Sequence, residues 1–284
     1  MKKHIPICIL FFVALLCSTA AGETLRLRTI PNEVIQARLG RFAGKNEQRR
    51  ETLKNMFQEA GCKDRYLSDQ PVTGSKLPNL ICILPGSSGE TIIVGAHFDR
   101  VDIGDGVVDN WSGAALLPSL YEALSAESRT HTFVFIAFTD EERGLVGSRF
   151  YAKRLTKEEV AKTEAMVNMD TLGLGPTKVW ASAADKNLLR ALIYMADTTK
   201  TSLTGVDVEA VGTSDAASFA ERKIPNITIH SFTQKALEEH ILHSSKDNLS
   251  QIRLDDYCQT YFLVAAYLSF LDVYLHPKTG AGSK

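Results

Sequence analysis

The sequence predicts an α/β fold, a three-layer αβα sandwich around a mixed, mostly parallel sheet. Three observations lead there. After Pro85-Gly86, short and nearly continuous apolar runs at 91–94, 132–138, 165–169 and 227–229 alternate with helix-like segments. That is the pattern of strands covered on both faces. Each run is followed by residues able to hold a ligand: His97, Asp99 and Asp109; Asp140, Glu141 and Glu142; Asp170; and a loop carrying His243. In an open α/β sheet, ligands collect beyond the carboxyl ends of the strands. Finally, 284 residues at 44% hydrophobic and 23% charged can bury one substantial core, and no low-complexity linker or repeat divides them.

The elements follow in order. Residues 1–21 read as an export signal, with Lys2 and Lys3, an apolar run over 5–16 and small residues over 18–22. The run is short for a membrane span, and Leu16 before Cys17 is too bulky for lipoprotein processing. A secreted or periplasmic protein is expected, with 22–284 as its single domain. Residues 31–61 read as a helix with Leu53, Met56 and Phe57 on one face and Gly61 as its stop. Short strands at 66–67 and 80–84 are separated by the turn residues Pro71 and Gly74. A helix over 110–126 contains Pro118, which removes one hydrogen bond and kinks it. Amphipathic helices are expected over 143–154 and 184–198, the second capped by Asp185. Residues 254–275 are apolar enough to raise a membrane span, but Asp255, Asp256, Gln259 and Asp272 interrupt them, so a core-packed terminal helix is expected.

Without residues 1–21, 30 basic residues face 33 acidic ones, a net charge of −3. No basic stripe with interleaved aromatics appears, which argues against a nucleic-acid partner. The remaining cysteines, Cys62, Cys82 and Cys258, are odd in number and lack CxxC spacing. They read as small buried hydrophobes; one bridge is open in an oxidising compartment, with the pair unspecified.

The chemistry lies in the strand-end residues taken together. A lone histidine after a strand is usually structural, and Glu141-Glu142 alone would be a solvated turn. The carboxylates clustered at these strand exits would repel one another and lose hydration. Divalent cations at their centre resolve that cost. Imidazole and carboxylate donors suit zinc, and five ligands with one carboxylate left over suffice for two ions.

The stretches GAHFD (95–99), DNWSGAALL (109–117), FTDEERGLVGSRFY (138–151), VNMD (167–170), TSDAASFAERKIP (213–225) and HSSKDNL (243–249), in this order and spacing, resemble the secreted dizinc aminopeptidases of peptidase family M28. The resemblance runs from about Asn46 to the terminal helix. It implies a zinc-exopeptidase-like fold and two zinc ions per chain. Asp109 would bridge them, with His97 and Asp170 completing one site and Glu142 and His243 the other. Glu141 would be the general base, turned to the substrate because neighbours in an extended segment point opposite ways. Asp99 is placed to hold the other nitrogen of His97, and a turn-capping role is its alternative. The resemblance also implies a cis Asp109–Asn110 peptide. His243 is preferred over His240 as the last ligand because Asp247 and Asn248 follow it, and His230 reads as structural or pocket-lining.

Three positions depart from the pattern of some members: Thr213 stands where an arginine orients substrate, Ala216 where histidine is frequent, and Leu242 where a tyrosine precedes the last ligand. The expected activity is removal of single residues from peptides with a free N-terminus, by a monomer with no membrane span after signal cleavage. Glutaminyl-peptide cyclisation on the same fold is one alternative, although those relatives carry tryptophan at the position of Leu242. A non-catalytic binding domain is the other, against which stands the complete ligand set. The Asn-x-Ser/Thr triplets at Asn110, Asn226 and Asn248 do not discriminate among these.

Overall fold

The computed structural model describes residues 27–209 and 212–275; the export signal expected over 1–21 lies outside the described residues. Among the described residues, eight strands form one sheet: β1 (Leu67–Gln70), β2 (Asn79–Leu84), β3 (Thr91–His97), β4 (Thr132–Phe138), β5 (Thr163–Met169), β6 (Thr177–Val179), β7 (Leu203–Gly205) and β8 (Asn226–His230). Their order across the sheet is β1-β2-β4-β3-β5-β8-β6-β7. The central strands β4, β3, β5 and β8 are parallel. Antiparallel pairing enters at β1–β2, β2–β4 and β8–β6.

The apolar runs are continuous because both faces are buried. Ile92, Val94, Phe133, Phe135, Val167 and Ile229 face one core, while Ile93, Val134, Ile136, Phe138 and Met166 face another. Helices Asn46–Glu59, Leu116–Ser125, Lys186–Thr199 and Leu254–Tyr274 cover the first face through side chains such as Phe57, Leu120, Leu192 and Leu268. Helices Val146–Arg154 and Ala216–Ala220 cover the second through Ala152 and Phe219. Helix, sheet and helix layers result, as expected.

The crossover from β3 to β4 runs through Leu116–Ser125 on the first face, and that from β4 to β5 through Val146–Arg154 on the second. Because β4 and β5 flank β3 on opposite sides, the two connections diverge. They leave a crevice at the C-terminal end of β3, where an open sheet collects its ligand.

Several expectations need correction. The helix expected over 31–61 is two helices, Asn32–Leu39 and Asn46–Glu59, because Gly40 and Gly44 weaken the connecting segment. Tyr66 belongs to a tight turn, and β1 begins at Leu67. The regular helix expected over 110–126 starts at Ser112 and is interrupted at Ala115, whose backbone stays right-handed helical, and Pro118 lacks the N–H that would bond back into this turn. Helix Leu254–Tyr274 packs into the core, and no described helix is long and apolar enough to cross a membrane. Cys62 and Cys82 form a disulfide, and only Cys258 matches the expected buried free thiol. Pairing of β1 with β2 sets Cys82 opposite Leu67, five residues beyond Cys62, and the two Cα atoms come within 6.5 Å.

Candidate metal centre and active site

His97 is the last residue of β3 and is 1% exposed. Its Nδ1 lies 3.2 Å from the main-chain carbonyl of Asp99. Donation there leaves Nε2 as the free lone pair, which is the ligand-ready tautomer. The Asp99 carboxylate does something the sequence did not reveal. Its Oδ1 accepts the Glu141 N–H at 3.0 Å and its Oδ2 the Glu142 N–H at 3.2 Å. Asp99 thus anchors the Glu141-Glu142 loop, and its carboxylate also lies 3.5 Å from His97 Nδ1, the place expected for it beside that imidazole.

Asp109 sits in an irregular helical turn, Val107–Trp111, entered through Gly106 at φ +59°, and the Asp109–Asn110 peptide is cis. Its two oxygens divide between the histidines: Oδ1 is 3.1 Å from His97 Nε2 and Oδ2 is 3.2 Å from His243 Nε2. Asp170, just past β5, brings Oδ1 to 3.7 Å from His97 Nε2. Glu142 Oε2 lies 2.8 Å from His243 Nε2, while its Oε1 is buried with no hydrogen-bond partner. Glu141 Oε2 stands 4.0 Å from His97 Nε2. Ligand atoms of His97, Asp109 and Glu142 all lie within 4.8 Å of one another. The structure thus gathers all seven residues singled out by the sequence. His243 reaches the cluster; His240 is exposed. His230 lines the adjoining cavity, accepting from the Phe232 N–H and donating to the Val206 carbonyl, and burial pulls its pKa down to about 4.

The electrostatics are those of a site short of positive charge. Burial, then repulsion from Asp215, Asp170 and Asp109, pushes Glu141 up to about 9 against the pull of His97. Burial likewise raises Glu142 and Asp170. Asp109 runs the other way: burial opposes ionisation, but His243 and His97 together hold its carboxyl below the usual range. Hydrogen bonds to Asp109 and Glu142 push His243 up to about 10. His97 is raised well above the ordinary value because the surrounding carboxylates outweigh its burial. Four carboxylates, Asp109, Glu141, Glu142 and Asp170, thus crowd around two imidazoles. An unpartnered Glu142 oxygen, one carboxylate spanning two imidazoles and an N/O donor set all fit a pair of divalent ions of zinc's kind.

A cavity of about 350 Å³ opens onto this cluster, with an apolar wall of Leu145, Trp180, Val208, Phe232 and Leu242. Of the three departures from the family pattern, Thr213 and Leu242 line the cavity, and Ala216 packs in the core of the second face. Two supporting residues escaped the sequence reading. Asn110 donates to the Met169 carbonyl at 2.9 Å and accepts from the Gly113 and Thr171 N–H groups, tying the Asp109 turn to Asp170. Its only sequence signal was its place beside Asp109. Asn79 accepts the Thr139 N–H and donates to the Gly147 carbonyl at the exit of β4, a partnership that only the sheet creates.

Comparison with known proteins agrees with this geometry. The family model described as peptidase family M28 matches residues 79–268. Aminopeptidase YwaD of Bacillus subtilis is 26% identical over 208 residues, covering 70% of this chain and 44% of YwaD. Leucine aminopeptidase 2 of Trichophyton rubrum is 36% identical over 88 residues, so the match spans 31% of this chain and only 18% of that enzyme. Among solved structures, BSAP, a zinc aminopeptidase from Bacillus subtilis, superposes with a TM-score of 0.62 at 24% identity, covering 73% of this chain and 52% of BSAP. An Acidobacteriales bacterium glutaminyl cyclase gives 0.70 at 17% identity, covering 86% of this chain and 94% of the cyclase, which shows a shared fold.

Proposed function

The chain belongs to peptidase family M28, and on that premise we propose that it is an exported dizinc aminopeptidase acting on peptides with a free N-terminus. The observation that carries this reading is the Asp109 carboxylate, each of whose oxygens faces a different histidine. In this reading His97, Asp109 and Asp170 would hold one zinc ion, and Asp109, Glu142 and His243 would hold the other. Bound there, zinc supplies an acidified water and a polarised scissile carbonyl.

The rest falls to the chain. Glu141 takes the proton of the attacking water and passes it to the departing amine. Asp99 fixes the register of the two glutamates, so that one faces the metals and its neighbour the substrate. The carboxylates around the cluster hold the substrate's terminal ammonium, and the apolar wall of the cavity takes its first side chain. Export is supported by the N-terminal charge and hydropathy pattern, and by the Cys62–Cys82 bridge, since such bonds persist in oxidising compartments.

Glutaminyl cyclisation is the second reading, favoured by the near-complete coverage of a cyclase of similar length. Leu242, in place of the tryptophan typical there, disfavours it. One experiment separates them: zinc content measured alongside aminoacyl-nitroanilides and a glutaminyl peptide. Two zinc ions with nitroanilide release support the aminopeptidase. Cyclised product with one zinc and no nitroanilide release overturns it.

A further inference from the structure

Asp247 lies four residues beyond His243 and is 2% exposed. It has no place in the chemistry above, yet it takes three hydrogen bonds from the turn that carries Asp109. Its Oδ1 accepts the Val108 N–H at 2.7 Å, its Oδ2 the Asp109 N–H at 3.2 Å, and its main-chain carbonyl the Asp105 N–H at 2.7 Å. The two segments touch backbone to backbone: a Cβ on Gly104, at φ +77°, would lie 2.2 Å from the Ser244 carbonyl oxygen. On the far side of the turn, the fully buried Arg49 donates to the Asp105 and Gly106 carbonyls and lies over the Trp111 ring. The turn is thus gripped between a helix outside the matched family region and the His243 loop.

We propose that Asp247 is a positioning residue that locks the Asp109 turn and the His243 loop into one body, and so fixes the metal position these two residues share with Glu142. The proposal rests on the metal reading above. His243 is held to the cluster by no strand and no helix: its side chain is 55% exposed and its loop joins two separate elements. Among the described residues, no other carboxylate of that loop accepts a hydrogen bond from the Asp109 turn. The His97–Asp170 position needs no such lock, because β3 and β5 are hydrogen-bonded neighbours in the sheet. Asp109 serves both positions, but its turn stays tied to the Asp170 side through Asn110, so loss of the lock falls chiefly on the position that includes His243.

The test is Asp247→Asn in the full chain, stripped with a chelator and titrated with zinc alone, with apo melting temperature, kcat and KM measured beside it. The amide keeps the size but turns one acceptor into a donor facing an N–H. Outer contacts around metal sites are commonly worth 10–100-fold in affinity or activity. One zinc should bind at least tenfold more weakly and the other within about threefold of wild type, with kcat falling and KM nearly unchanged. Gly104→Ala, which pushes the same segments apart, should reproduce the selective loss and decides the matter if Asp247→Asn does not fold. Two zinc ions bound as in wild type, or both weakened equally, overturns the proposal while leaving the functional reading intact. A wild-type chain that binds no zinc overturns both.

Discussion

Replacing Cys62 and Cys82 together by serine opens a bridge between residues 20 apart in sequence. In the loop-closure description, a bridge of that span restricts the unfolded chain by about 11 cal/mol/K, or about 3 kcal/mol at 25 °C. Both sulfurs are buried, at 3% and 0% residue exposure, so the serine hydroxyls add a small desolvation cost in the same direction. For a domain of this size, each kcal/mol moves the thermal midpoint by about 2–4 °C, which predicts a fall of about 6–12 °C. The measurement is calorimetry of wild type and double mutant, both stripped of metal, because bound zinc would stabilise each by mass action. Reduced wild type should melt with the mutant. A midpoint within 2 °C of the oxidised wild type would refute the loop-entropy argument and, with it, the stabilising role assigned to the bridge.

Glu141→Gln should keep both zinc ions while kcat falls about 10²–10⁴-fold, the usual loss for a general base; Glu142→Gln should instead lower zinc content, and the reverse pattern in metal analysis would swap the two roles. Asp109→Asn should weaken both zinc ions and His97→Ala mainly one, as competition with a chelator would read; an Asp109→Asn protein with wild-type affinity at both positions is incompatible with a bridge. Unblocked peptides should be cleaved and N-acetylated ones not, and comparable rates by chromatography would indicate an endopeptidase or amidase. Asp272 accepts the Thr130 and His131 N–H groups, and although burial opposes it, His131 and these amides hold its carboxyl below the usual range. A depressed native pKa stabilises above the ordinary aspartate value of about 3.9 and is lost as pH falls through the native one. Asp272→Asn should therefore cost about 1–3 kcal/mol at pH 7, a gap that narrows below pH 4 in denaturant titrations; a constant gap would place its effect elsewhere.

Much of this protein is written locally. The four parallel central strands were legible because burial on both faces demands unbroken apolar runs, and 132–138 coincides with β4 to the residue. The cap at Asp185 was legible because it acts on the N–H groups two and three residues ahead. The candidate site was legible because strand ends, histidines and carboxylates coincide in sequence, and because the motif spacing resembles a known family. What stayed hidden depends on partners distant in the chain. β6 and β7 have three residues each and exist only through pairing with β8 and with each other. The Cys62–Cys82 bond needed the β1–β2 register, and the capture of the Glu141 and Glu142 amides by Asp99 needed β3 and β4 side by side. The spacing of Asp247 after His243 was visible in sequence, but its grip on a turn 138 residues earlier was not. Periodicity and capping act over a few residues and so can be read from order alone. Which buried carboxylate meets which backbone amide is decided by the closure of the sheet, and that lies in the tertiary structure.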